Sequence, residues 1–205
     1  MCIRDRTGCT NVTGQADNCQ AFEFTGFEEG NLGIWVSGGG SGNLLNHADL
    51  ANSGTWSFYL QGNNGVTSSL FSAPRDFSAY ESLNLSFNLR PHLTESGEQF
   101  VVEVSTNGFL YTPYTVSTVG SDIQNGVNYS VSLNIRDIAF TSTTSIRMRS
   151  ISDQEADFFI VDDLLLEVCS SMPISCVQGT ACDDGDPCTE AVSYTHLTLP
   201  TTPYV

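Results

Sequence analysis

The chain has 205 residues, with 7 Lys and Arg against 23 Asp and Glu, and a formal net charge of −16 at pH 7. None of its cations is a lysine, and such an acidic surface repels phosphate backbones, which argues against nucleic acid as a partner. No run approaches the roughly 18 apolar residues of a membrane-spanning helix, which argues against membrane insertion.

The two ends of the chain look like translated adapter sequence. Residues 1–6 read MCIRDR, and residues 192–201 read VSYTHLTLPT. One choice of codons for the first five residues is ATG-TGT-ATA-AGA-GAC, and its reverse complement, GTC-TCT-TAT-ACA-CAT, encodes VSYTH. We therefore set aside 1–6 and 192–205 as adapter. Between them we expect an upstream linker at 7–19, a folded module at 20–169, and a linker with a truncated Cys-rich acidic unit at 170–191.

The module at 20–169 shows the period of two that is typical of half-buried strands. Residues 56–61 alternate, with Tyr59 predicted to face outward. Residues 82–90 alternate most cleanly, and Arg90 falls on the polar side. The same pattern returns at 100–105, with Glu103 and Ser105 predicted outward, and then at 129–135. Residues 146–149 place Arg147 and Arg149 outward, and 157–168 form a longer, more apolar strand.

Turn signals separate these segments. Residues 37–42 (SGGGSG) predict a loop, and three Asn-Gly dipeptides at 64–65, 107–108 and 125–126 are typical of hairpins. Many short strands without helices predict an all-β fold, an antiparallel two-sheet β-sandwich of the jelly-roll type with eight or nine strands.

The cysteines flank the module. No cysteine lies between Cys19 and Cys169, and Cys176, Cys182 and Cys188 follow in the acidic tail. Cysteines in loop-rich flanks indicate disulfides and an oxidising, extracellular compartment, whereas zinc fits poorly because no C-x-x-C pair is present. With Cys2 set aside in the adapter, the six remaining cysteines, including Cys9, allow 15 pairings. A Cys19–Cys169 bond would tie the ends of the module together, while Cys182–Cys188 and Cys176–Cys182 are both open in the tail.

Seven short segments of the module follow, in order, the pattern of a known family. They include Phe27-Glu28-Glu29-Gly30, residues 76–83 (DFSAYESL), residues 146–149 (IRMR) and residues 159–164 (FIVDDL). Residues 22–169 thus resemble MAM-like jelly-roll modules of large secreted bacterial proteins, and the CDDGDPCT tail resembles a short repeat in bacterial surface proteins. The resemblance implies a module set among neighbouring domains of one secreted or cell-surface chain.

The same resemblance implies a structural calcium ion that joins the first strand, a glycine-bearing loop and the last strand. Its side-chain ligands would be Glu28, Asp49 and Asp163, with carbonyls from residues 52–54, because calcium prefers hard oxygen donors. Strand alternation predicts that Asp162 and Asp163 point to opposite faces and have separate roles. The alternative is that Asp163 is satisfied by backbone N–H groups or by an arginine.

Aromatic and arginine side chains on the outward faces are candidates for sugar binding, which needs exposed rings beside hydrogen-bond donors. The ligand-binding candidates are Tyr59, Arg90, Arg147 and Arg149, with Tyr111 and Tyr114 as further rings. The three arginines would share one sheet face if their strands are neighbours.

No catalytic signature accompanies these residues. The module holds only His47 and His92, and it lacks H-E-x-x-H and G-x-S-x-G motifs. We therefore expect a non-catalytic binding or adhesion module, directed to an extracellular glycan or a surface protein. The alternative is a structural spacer or ancillary domain of a secreted peptidase or glycoside hydrolase.

Overall fold

The computed structural model describes residues 18–170, apart from residues 40, 64, 65 and 155. Within that part of the chain all regular structure is β, in twelve strands. They are β1 (Asn18–Thr25), β2 (Trp35–Gly38), β3 (Asn43–Asn46), β4 (Trp56–Asn63), β5 (Val66–Thr67), β6 (Ser69–Ser72), β7 (Ser82–His92), β8 (Gln99–Ser105), β9 (Thr112–Thr118), β10 (Tyr129–Ile135), β11 (Ser145–Ile151) and β12 (Phe158–Ser170). The number exceeds the predicted eight or nine because four strands have four residues or fewer.

The strands form two antiparallel sheets. One has the order β10-β7-β12-β4-β3, with β1 paired to β12 and β5 to β4, and the other has the order β2-β6-β11-β8-β9. The predicted all-β antiparallel sandwich is confirmed. The described residues contain no helix long and apolar enough to cross a membrane.

Alternation along the strands fills the space between the sheets. The alternating side chains of β7 at positions 83, 85, 87 and 89 are all buried in the hydrophobic core, as are those of β8 at 100, 102 and 104. Trp35 is buried in this core and Trp56 packs against it from a partly buried position. The remaining face of each sheet, which we call its outer face, carries the candidate ligand-binding side chains.

Strand β12 changes partners midway. Its first part, Phe158 to Val161, pairs with β4, and its second part, Leu164 to Ser170, pairs with β1. Its register with β7 shifts between Asp162 and Leu165, and Asp163 has a positive φ of 49°. This β-bulge interrupts the alternation at the two aspartates.

A disulfide joins Cys19 of β1 to Cys169 of β12, which are register partners in the sheet. The predicted bond between the ends of the module is therefore confirmed. Cys176, Cys182 and Cys188, together with the adapter and linker segments, lie outside the described residues.

The turn predictions have mixed outcomes. Asn107-Gly108 connects β8 to its partner β9, as expected of a hairpin. Asn125-Gly126 does not form a hairpin, because β9 and β10 on either side of it lie in different sheets. Its Asn125 side chain instead accepts a hydrogen bond from the backbone N–H of Thr94, 3.2 Å away. Asn64-Gly65 lies outside the described residues, between the paired strands β4 and β5.

Candidate functional site

Two rows of side chains cross the outer face of the five-stranded sheet. In one row, register pairs Phe71 of β6 with Arg147 of β11, and Arg147 with Glu103 of β8. In the next row, Ser69 pairs with Arg149. Because directly paired residues point to the same face, the alternation of three neighbouring strands brings these side chains together.

Glu103 of β8 lies on this face and joins the two arginines. Its Oε2 atom accepts a hydrogen bond from Arg147 Nε at 2.6 Å, and its Oε1 atom accepts one from Arg149 Nη2 at 3.0 Å. The Glu103 side chain is only 3% exposed, against 27% for Arg147 and 24% for Arg149. Burial opposes ionisation of Glu103, but the hydrogen bonds and charges of the arginines outweigh it and lower its pKa.

Tyr111 holds Arg147 from the other side. The guanidinium carbon of Arg147 lies 3.9 Å from the centre of the Tyr111 ring, a cation–π contact. The Tyr111 hydroxyl lies 2.8 Å from Ser145 Oγ, which itself donates to the Ser72 carbonyl. Arg147 is therefore clamped between a carboxylate and an anchored ring.

These side chains line an open groove of about 400 Å³, formed by Gly38, Gly39, Thr67, Ser69, Phe71, Gly108, Tyr111, Arg147 and Arg149. A Cβ at Gly38 would overlap the Phe71 ring, so glycine lets that ring lie against the strand. None of the described residues that line the groove is acidic, although the chain has 23 acidic residues. The groove thus combines two aromatic rings with arginine donors.

The predicted ligand-binding residues divide between two sheets. Arg147 and Arg149 lie together, but Arg90 belongs to β7 and Tyr59 to β4 of the seven-stranded sheet. The condition under which the three arginines would share one face is not met, because β7 and β11 are in different sheets. Arg90 Nη1 donates to the Asp49 carbonyl at 2.7 Å, and Tyr59 packs edge-on against Phe158. The hydroxyl of Tyr114 donates to the carbonyl of Asn134.

Phe71 in the groove and Glu103 beneath its arginines were not predicted as site residues. Phe71 sits in a strand of four residues, too short to show a period. Glu103 was predicted outward, and it does point to the outer face, but with Ser105 it is buried: they are 2% and 1% exposed. A carboxylate between Val102 and Val104 needs a partner when buried, which was the available signal.

A second cluster lies on the outer face of the seven-stranded sheet, where the loop of residues 47–55 meets the bulge of β12. Asp162 Oδ2 accepts hydrogen bonds from the backbone N–H groups of Asn52 (2.8 Å) and Ser53 (3.1 Å). Asp163 accepts from the Ser53 hydroxyl at 2.6 Å and from the side-chain amides of Asn52 and Asn88. The predicted separation of the two aspartates is therefore wrong, since the bulge lets both of them hold the same loop.

The buried position of Asp162 shifts its pKa. It is 1% exposed, and this burial raises its pKa even though three backbone N–H groups donate to it. The neighbouring charge of Asp163 adds to that rise.

The three predicted calcium ligands meet this loop in different ways. Glu28 accepts hydrogen bonds from the backbone N–H groups of Thr55 and Trp56, where the loop ends and β4 begins. A Cβ at Gly54, whose φ is +56°, would overlap the Glu28 carboxylate, so the loop needs glycine there. Asp49 is exposed and contributes its carbonyl to Arg90. The carboxylates of Glu28, Asp49 and Asp163 do not converge within 4.8 Å, and calcium stays a prediction.

Among the described residues, the carboxylates that do converge within 4.8 Å belong to Glu98, Asp153 and Asp157. Glu98 accepts from the backbone N–H groups of Glu95 and Asp153. Burial raises the pKa of Glu98, and the adjacent Asp157 raises it further. This cluster ties the start of β8 to the loop before β12, and sequence spacing did not predict it.

No family model matches the chain, and no curated protein matches it. Solved structures do match. The C-terminal family 22 carbohydrate-binding module of Clostridium thermocellum Xyn10B is 15% identical, with a TM-score of 0.55 over 75% of this chain and 96% of that one. The CBM22-1 xylan-binding domain of Paenibacillus barcinonensis Xyn10C is 12% identical, with a TM-score of 0.51 over 75% and 97%.

An adhesin domain shares the same architecture. The K1 cleaved adhesin domain of Lys-gingipain from Porphyromonas gingivalis W83 is 14% identical, with a TM-score of 0.52 over 70% of this chain and 96% of that one. At these identities the likeness establishes a common β-sandwich fold. The site must be argued from this chain's own residues.

Proposed function

We propose that this chain is a non-catalytic glycan-binding module and that the groove on the five-stranded sheet is its binding surface. The observation that carries the proposal is the arrangement of Arg147, Arg149, Glu103 and Tyr111, in which the arginine donors are fixed before any ligand arrives. Donors held in place lose little conformational entropy on binding, and a sugar needs such donors beside apolar ring faces.

The groove supplies both kinds of contact. Tyr111 and Phe71 offer rings against which the apolar face of a sugar can pack, and Ser69 and Thr67 add polar side chains at the wall. The matching structures include carbohydrate-binding modules, which supports the same function for this chain.

The setting we propose is extracellular. The Cys19–Cys169 disulfide needs an oxidising compartment to persist. The resemblance of residues 22–169 to MAM-like modules supports a place among neighbouring domains of a larger secreted or surface protein, for which this module would provide attachment rather than chemistry.

We further propose that calcium braces the 47–55 loop. Two carboxylates distant in sequence, Glu28 and Asp163, reach this one loop, and the Ser53 hydroxyl oxygen lies beside Asp163. These are the hard donors that calcium prefers. The ion would fix the loop to β12 and would take no part in the groove on the other sheet.

A glycan array probed with and without calcium tests the binding proposal. We expect retention on a defined set of glycans, and we expect the double substitution Arg147→Gln/Arg149→Gln to abolish it. Arg136→Gln is the matched control, because Arg136 is exposed and lies outside the groove. Retention by the double variant would show that this face is not the site, and binding to nothing under either condition would identify a spacer.

A further inference from the structure

We infer that the groove selects an acidic glycan, one whose sugars carry carboxylate groups. This inference rests on the proposed function of the groove and concerns the class of sugar that it accepts. It follows from three properties of the site: its charge, its unused donors and its rigidity.

The groove is locally cationic within a strongly acidic protein. The chain has 7 cationic side chains against 23 acidic ones, yet among the described residues that line this groove two are arginines and none is acidic. The Glu103 carboxylate lies beneath them and balances only one of the two charges. An acidic ligand repelled elsewhere on the surface would find one net positive charge here, at short range, where screening by salt is weakest.

Both arginines retain donors. The Glu103 carboxylate accepts hydrogen bonds from the Nε atoms of Arg147 and Arg149 and from Nη2 of Arg149. Among the described residues, no acceptor engages Nη1 or Nη2 of Arg147, or Nη1 of Arg149. A guanidinium presents its N–H groups in a planar fork that matches a carboxylate, and such charge-assisted bonds are about twice as strong as neutral ones.

The spacing and rigidity suit a polymer. Arg147 and Arg149 are two positions apart on β11, so their Cα atoms lie roughly 6.6 Å apart along the strand. Glu103 and the Tyr111 ring fix the head of Arg147, and the Tyr111 hydroxyl is itself anchored on Ser145. Consecutive sugars packed along Phe71 and Tyr111 would place their substituents against these fixed donors.

The sharpest test compares a trimer of galacturonic acid with its methyl ester, because the ester keeps the sugar's shape and removes its charge. Calorimetric titration with the intact chain should give about tenfold tighter binding of the acid, the gain expected when charged bonds replace neutral ones. That preference should shrink as salt is raised from about 50 to about 500 mM, since salt screens charge. Neutral xylotriose and a sulfated trisaccharide complete the panel.

Single arginine substitutions test which side chains produce the preference for the acidic trimer. Arg149→Gln should remove most of the preference for the acid, Arg149→Lys should keep part of it, and Arg136→Gln should leave it unchanged. Thermal melts of each variant confirm that it is folded. An acid preference that survives in folded Arg149→Gln and Arg147→Gln would overturn the inference.

The outcomes separate this inference from the proposed function. Equal binding of the acid and the ester, or tighter binding of the neutral trimer, would overturn the acidic preference and leave glycan binding intact. Binding of the sulfated sugar alone would overturn the carboxylate assignment. Binding of no sugar in the panel, with an empty glycan array, would overturn both.

Discussion

The outer faces of the two sheets each carry a cluster of polar side chains, but the two clusters differ in how many of their groups are paired. On the seven-stranded sheet, the 47–55 loop covers Ile160 and Asp162, which are 2% and 1% exposed, and the oxygens of Asp162 and Asp163 are occupied by donors of the loop. On the five-stranded sheet, the arginines keep free donors above an open groove. A saturated polar cluster stabilises a fold, and an unsaturated but rigid one is available to a ligand.

Of the substitutions that would test this contrast, Glu103→Ala is expected to have the largest effect. Removing the carboxylate leaves two partly buried guanidiniums unpaired, and we expect the free energy of unfolding to fall by about 2–3 kcal/mol, below the fully buried range because the arginines are partly exposed. Glycan binding should be lost in protein that is still folded at low temperature. Denaturant titration and calorimetry measure the two effects.

Glu29→Ala is the control for that experiment, since Glu29 is an exposed glutamate away from the groove. It should change neither stability nor binding by a measurable amount. Normal glycan affinity in Glu103→Ala would contradict the role given to Glu103.

Asp162→Ala should have the complementary effect. It removes the acceptor of three backbone N–H groups, and we expect a loss of about 2 kcal/mol of stability, with faster amide exchange at Asn52 and Ser53. Glycan affinity should stay within twofold of the original, because the groove is on the other sheet. A large loss of affinity would show that the two faces are coupled.

Chelation is expected to have a smaller effect. If calcium braces the 47–55 loop, EDTA should lower the melting temperature by several degrees, corresponding to about 1–2 kcal/mol for a domain of this size. Asp163→Ala should abolish the response to EDTA. Asp49→Ala tests whether the third predicted ligand takes part. An unchanged melting curve in EDTA would refute the calcium proposal.

The pH dependence of stability should differ in sign between the faces. The pKa of Glu103 is lowered on folding, so its contribution is complete above the ordinary pKa of about 4.5 and is lost as pH falls through the lower folded value. The pKa of Asp162 is raised, so its contribution is complete below about 3.8 and is lost as pH rises through the higher folded value.

Urea titrations between pH 3 and 7 measure this effect by comparing the original chain with Glu103→Gln and with Asp162→Asn. The stability advantage over Glu103→Gln should grow as pH rises toward 4.5. The advantage over Asp162→Asn should shrink as pH rises above 3.8. The same trend for both variants would contradict the assigned pKa directions.

Periodicity predicted much of this architecture. The alternation of residues 82–90 and 146–149 was enough to orient β7 and β11, and it placed Arg147 and Arg149 on one face correctly. It was not enough to decide which strands are neighbours, and for that reason the alternation could not separate Arg90 from Arg147 and Arg149. Strand order depends on long-range pairing, which a local period does not contain.

Irregular backbone geometry was the second feature that the sequence pattern did not predict. A strict period of two predicts that Asp162 and Asp163 point to opposite faces. A bulge with a positive φ at Asp163 instead directs both side chains to the same loop. Likewise Asn125-Gly126 has the residues of a hairpin turn, yet the chain crosses there from one sheet to the other. In both places, tertiary packing overrides the local signal.

The most direct test of the central claim is to map a bound oligosaccharide by NMR. On titration with a glycan selected from the array, we predict chemical-shift changes at Ser69, Phe71, Tyr111, Arg147 and Arg149, with none at Asn52, Ser53 or Asp163. Changes concentrated in the 47–55 loop, with the groove residues unaffected, would contradict the assignment of the binding surface to the five-stranded sheet.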